Sequence, residues 1–141
     1  MKLLDHKFYF AKEHHLFAID IIRIITGILI FYNGISILNN PELLSEIVKD
    51  SQIAGLIIIL GHHVIFSLLV GGLFITIGIL TRVALIFQIP VYLSIIWLYL
   101  SGYIIHQAFD LFYLIIIQIS IIFLLISGPG KYSIDYLKWG K

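Results

Sequence analysis

The chain has 141 residues, 60% of them hydrophobic and 12% charged, with no cysteine and a net charge of +1; its mean hydropathy is +1.06. A soluble domain of this size needs a charged shell that this composition cannot supply, and the charges form no basic run of the kind that binds nucleic acid. Without cysteine, thiol–disulfide chemistry, iron–sulfur ligation and thiolate metal sites are excluded. Each crossing of a hydrocarbon layer takes roughly 20 apolar residues. Four crossings use up the length and leave nothing for a soluble catalytic domain. The expected fold class is all-α, an integral membrane four-helix bundle forming a single transmembrane domain.

In chain order, residues 1–16 are polar and charged and include His6, His14 and His15, which are expected in solvent. The apolar run behind them is too long for a signal peptide and lacks a small-residue cleavage site, so the first helix is expected to be retained. The first span is placed at Phe17 to Leu38, interrupted only by Asp20, Arg23 and Asn33. Next, Asn40 suits an N-cap and Pro41 the first helical position, and Leu43, Leu44, Ile47 and Val48 share a face. This pattern predicts a short amphipathic helix over about 41–49 on the outer membrane surface. The run from Ile53 to Leu80 would make a helix of about 42 Å, longer than one crossing needs. Either it tilts or it breaks near Gly61; the span is placed at about 57–80. The third span is expected over about 82–103, with Pro90 as its kink point. The fourth is expected over about 108–127, stopped by Gly128-Pro129-Gly130.

Basic residues orient the bundle. Lys2, Lys7, Lys12, Arg82, Lys131, Lys138 and Lys141 fall on one side and Lys49 on the other, beside Glu42, Glu46 and Asp50. By the positive-inside rule both termini are cytoplasmic. Trp97, Tyr99 and Tyr103 would form the outer aromatic belt, and Tyr132, Tyr136 and Trp139 the inner one. Gly27 and Gly34 lie seven apart on the first helix, and Gly71 and Gly78 repeat that spacing on the second, next to Gly72. These are read as glycine seams between the two helices, since lipid gives helices no hydrophobic reason to associate.

The polar side chains sort into two layers. In the inner one, Asp20 and Arg23 are three apart on one helix face and are expected to pair, while Arg82 is expected to reach Asp135. The first reading is that these structural ion pairs fix helix ends; the second is that the two guanidinium groups hold an anionic or quinone headgroup. The outer layer holds Asn33, His62, His63, His106 and Asp110. Asp110, four residues after His106, is placed to orient its ring. His62 and His63 are adjacent, so at most one of them faces a given site, where it is expected to meet His106. With Asn33 and Asp110 this makes four side chains from three helices at one depth, suited to hydrogen bonding to a quinone headgroup or to proton relay. Plain contact with interfacial water ranks above this. Haem ligation by His63 and His106 ranks below it.

Three stretches together carry a family resemblance: Arg23-Ile-Ile-Thr-Gly27 through Asn33-Gly34, Gly71-Gly72-Leu-Phe-Ile-Thr-Ile-Gly78-Ile-Leu-Thr81-Arg82, and Gly128-Pro-Gly-Lys-Tyr-Ser-Ile-Asp135. The chain resembles the DoxX-like family of small four-helix bacterial membrane proteins over about Ile19 to Asp135. The resemblance implies a multi-pass protein of the bacterial cytoplasmic membrane, a subunit or partner of membrane redox systems such as thiosulfate:quinone oxidoreduction. Two family features are missing here. Leu68-Leu69-Val70 stand where a Glu often precedes the second-helix glycines, and Ile37 stands where a Lys often follows the first-helix glycine.

The expected function is a small membrane subunit or partner of a quinone-linked or respiratory redox complex, contributing to a quinone pocket. There is no self-contained catalytic motif and no cofactor held by the chain alone, so a partner complex or a second copy would complete it. A non-catalytic scaffold or assembly protein is the alternative. A small transporter ranks last, because the only first-helix acid, Asp20, lies close to the helix end beside Arg23. The topology is directly testable: reporter fusions at Lys141 and after Arg82 are expected to report cytoplasm, and one at Glu46 the opposite side. An externally accessible C-terminus would overturn this orientation.

Overall fold

The structure is a computed structural model. It describes the backbone of residues 2–42, 54–101, 110–128, 130 and 132–139, and the side chains of 17–42, 58–101, 110–128, 130 and 132–137. The described helices are α1 (Lys2–Asn39), α2 (Ala54–Ile77), α3 (Thr81–Leu100), α4 (Leu111–Ser127) and a short α5 (Ile134–Trp139). Each of the first four packs on its chain neighbour, and α4 closes back on α1, giving a four-helix ring. Ile30, Leu68, Ile75, Leu85, Leu114 and Ile121 fill its centre. No strand occurs among the described residues.

The distribution of polarity fits lipid rather than water. Phe66, Phe112 and Ile126 are 63%, 70% and 79% exposed, while Asp20, Arg23, Asn33 and Gln88 are each 3% exposed or less. A soluble bundle of this size places charges outside and avoids large apolar patches; here the arrangement is reversed. Phe17–Asn39, Ile58–Ile77 and Thr81–Leu100 are long and apolar enough to cross a membrane, and Leu111–Ser127 is a shorter apolar helix of 17 residues. The chain is a multi-pass helical membrane protein.

Several boundaries differ from those the sequence predicts. α1 begins at Lys2, so the helix continues back through the polar stretch before Phe17. α2 runs unbroken through Gly61 and stops at Ile77 rather than Leu80, because Gly78 (φ 81°) turns the chain. α3 continues through Pro90 and closes where the Ser101 N–H donates to Trp97 O at 2.9 Å. α4 starts at Leu111 instead of 108, since Asp110 takes the N-cap and accepts from Phe112 N at 3.1 Å. Asn40 donates from its side chain to Ser36 O at 2.7 Å, closing α1. Pro41 and Glu42 are again helical, while the remainder of the expected 41–49 helix, and Tyr103 of the outer belt, lie outside the described residues.

The glycine seam between α1 and α2 is present, with a narrower membership. A Cβ on Gly27 would strike Thr76, and one on Gly72 would stand 2.6 Å from Phe31 N and 2.9 Å from Gly27 O. Gly34 faces Leu68 and Leu69. Gly71 instead faces the Gln88 side chain of α3, and Gly78 faces Arg23 and Ser133. The obstacles at Gly72 are backbone atoms, which cannot rotate away. Gly72→Ala is therefore expected to push α1 and α2 apart at a cost of roughly 1–3 kcal/mol, read as a lower melting temperature of the detergent-solubilised protein. An unchanged melting temperature would show that the seam does not set the helix separation.

Candidate functional site

Two polar clusters hold the four helices together, one at the bundle end near the termini and one deeper in the apolar layer. At the end, the i, i+3 spacing on α1 brings Arg23 Nη2 to 3.2 Å from Asp20 Oδ1. Both residues are buried. The segment after α4 folds under this pair: Tyr132 N donates to Asp20 Oδ2 at 3.0 Å, and the Tyr132 ring meets Phe17 edge-on at 6.4 Å. Gly130 (φ 81°) lies so close that a Cβ there would collide with the Asp20 carboxylate. A Cβ on Gly78 would stand 2.6 Å from Arg23 Nη1 and 2.7 Å from Ser133 Cβ. Positive φ and the absence of a side chain are both required at these two positions.

Asp135 completes the closure, though not with the expected partner. Its Oδ1 accepts from Leu80 N at 2.8 Å and its Oδ2 from Thr81 N at 2.7 Å, while its own N–H donates to Gly78 O at 2.9 Å. The carboxylate thus caps the N-terminus of α3 from 55 residues away and holds Leu80 in a left-handed conformation (φ 47°) that a branched residue adopts at a cost of about 1–2 kcal/mol. Arg82 is exposed and forms no ion pair with Asp135. Helix-terminal amides supply two well-aligned donors and a favourable dipole, which satisfies both carboxylate oxygens without the guanidinium.

In the apolar layer, Asn33 on α1 donates from Nδ2 to Tyr92 Oη on α3 at 2.8 Å and accepts at Oδ1 from Tyr113 Oη on α4 at 3.0 Å. Gln88 on α3 donates to Ser67 O on α2 at 2.6 Å. Asn33 and Gln88 are buried, Tyr92 is fully buried, and Tyr113 is partly exposed. Where water is excluded, an amide or hydroxyl needs a protein partner, so Asn33 ties α3 and α4 to α1 while Gln88 ties α3 to α2.

The expected outer layer is distributed differently. Asn33 is committed to the two tyrosines, and Asp110 to the Phe112 amide. His62 and His63 are both exposed, and His62 Nδ1 lies 2.8 Å from Ile58 O, so that nitrogen carries the proton. His106 lies outside the described residues, and with it the His63–His106 pairing considered for haem. Asp110 stands at the N-cap of α4, before its first helical residue. No sequence motif marks Tyr92, Tyr113, Gln88 or Gln118 as part of a site. The available signal was their polarity inside apolar runs, but their long-range partners are not visible there.

The geometry at Asp135 predicts an asymmetric mutational response. Asp135→Ala is expected to lower stability by about 1–2 kcal/mol through loss of the cap, and Arg82→Ala to leave it nearly unchanged. Exchanging the two charges should not restore abundance. Rescue by the charge exchange, measured as membrane-inserted protein, would reinstate the ion pair.

The match to known sequences agrees with this organisation. The family model described as DoxX matches residues 18–101, which include the Asp20–Arg23 pair, Asn33, the α1–α2 seam and the Gly78 turn. No curated protein and no solved structure matches the chain. With more than half of its length matched and its buried pair, seam and turn inside the matched region, the chain belongs to the DoxX family of membrane proteins.

Proposed function

We propose that this protein is a small subunit or partner of a quinone-linked redox complex in the bacterial cytoplasmic membrane, with both termini cytoplasmic. The observation that supports this reading is the Asn33–Tyr92–Tyr113 cluster. It places an amide and two hydroxyl groups inside the apolar layer, at a depth reached by the headgroup of a lipid-soluble carrier, and Tyr113 is partly exposed toward that lipid. Quinone carbonyls are acceptors; the Tyr113 proton is given to Asn33, whereas Tyr92 Oη accepts from Asn33 and keeps its own O–H as the donor for such a carbonyl. The chain has no cysteine and six histidines, and electrons would come from a partner protein. The orientation follows from the bias of Lys and Arg toward the side of the termini.

A second reading, a non-catalytic scaffold, is favoured by a separate observation: several of the buried polar groups are engaged with one another or with backbone, as Asp20 is with Arg23 and Tyr132 N. Purification in mild detergent decides between the two. The redox reading predicts a co-purifying dehydrogenase or oxidase and extractable quinone that is lost in Asn33→Leu while the protein stays folded. Purification with a partner but with no quinone in either form would leave the scaffold. A Soret band in the visible spectrum would instead redirect attention to haem.

A further inference from the structure

Gln88 and Gln118 are the two buried amides whose carbonyl oxygen lacks a partner among the described residues; the buried Thr81 hydroxyl is likewise unpartnered. Gln88 is fully buried and Gln118 is 8% exposed. The bond from Gln88 Nε2 to Ser67 O fixes which end of its amide is the carbonyl, and Gly71 leaves the room that the amide occupies. The Oε1 atoms of both glutamines are buried and have no hydrogen-bond partner among the described residues. In contrast, both ends of the Asn33 amide are bonded.

The register of α3 against α4 brings the two glutamines to one level. A Cβ on Gly128 would lie 3.8 Å from Arg82 Nη2, and six residues inward from each of these gives Gln88 and Ile122. Tyr92 and Tyr113 meet through Asn33, and four residues toward the termini from each gives Gln88 and Ile117. Both fixed points place Gln88 opposite residues 117–122, where Gln118 lies on the buried face of α4. The buried neighbours along this stretch, Leu85, Leu114, Ile117 and Ile121, carry no donor.

A buried carbonyl in a water-excluded layer requires a donor. Two neutral acceptors have nothing to offer an anion, and two oxygens fall well short of the six or so that a hard cation takes. We infer that Gln88 and Gln118 form a site for a hydroxyl donor, either an internal water, which can donate to both carbonyls, or the hydroxyl of a lipid-soluble alcohol or phenol. This site is separate from the Asn33 cluster and does not depend on the redox reading.

A double-mutant cycle on the detergent-purified full chain tests it, using Gln88→Met, Gln118→Met and the double variant. A shared donor makes the two replacements non-additive: the double variant should melt no lower than the worse single one, because the donor is already lost with the first. Additive decreases in melting temperature overturn the inference. The source is resolved by adding 4-propylphenol or its methyl ether. Stabilisation of the wild type by the phenol alone, absent in Gln118→Met, identifies a ligand hydroxyl; coupling without that selectivity identifies water. If Gln88→Met does not fold, Gln118→Met decides alone. A lower melting temperature supports an occupied carbonyl, and an unchanged or higher one overturns the site, since removing an unpartnered buried acceptor relieves a penalty.

Discussion

A buried ion pair in a membrane-spanning helix sets the terms for the rest of this molecule. Asp20 and Arg23 are both enclosed, and an enclosed charge of either sign has to be matched by its surroundings. The match is built from distant chain: the Tyr132 amide on Asp20, Gly130 at the carboxylate and Gly78 at the guanidinium. Three segments separated by up to 112 residues therefore converge on one side-chain pair. Loss of either charge strands the other, at about 3–5 kcal/mol for a buried pair. The same loss would loosen the segment that carries Asp135, and with it the cap on α3.

How much of this was legible depended on whether a feature was local. The Asp20–Arg23 pair follows from i, i+3 spacing on one helix, and the structure forms it. The four-helix membrane class follows from composition and span length, and the α1–α2 seam from glycine spacing. Opposite charge points Asp135 toward Arg82, whereas its actual donors are backbone amides exposed by a left-handed turn at Leu80. No side-chain pattern announces such donors. Asn33 stood out as a polar residue in an apolar run, but its partners lie 59 and 80 residues away, and tyrosines in spans are ordinarily read as interfacial aromatics.

The clusters divide the work of assembly. The seam of Gly27 and Gly72 brings two backbones into contact without side-chain polarity. On its side away from the termini, hydrogen bonds from Asn33 and Gln88 select which faces of α2, α3 and α4 turn inward. Interhelical hydrogen bonds in membranes contribute only about 0.6 kcal/mol each on average. Their main effect is on rotation and register: a helix turned away from its partner would present a bare amide or hydroxyl to lipid.

The helices also differ in length, and that difference bears on the surrounding lipid. The apolar part of α1 has 23 residues and α4 has 17, about 34 Å against about 25 Å at the α-helical rise. One wall of the bundle matches a bilayer of ordinary thickness and the other falls short. Acyl chains beside a shorter apolar helix shorten or tilt to cover the gap, at a fraction of a kcal/mol for each Å of mismatch. By length alone, α4 suits a thinner hydrocarbon layer than α1 does. A second protein that shields α4 relieves such a mismatch, which gives α4 a mechanical reason to lie at a contact even before any specific recognition.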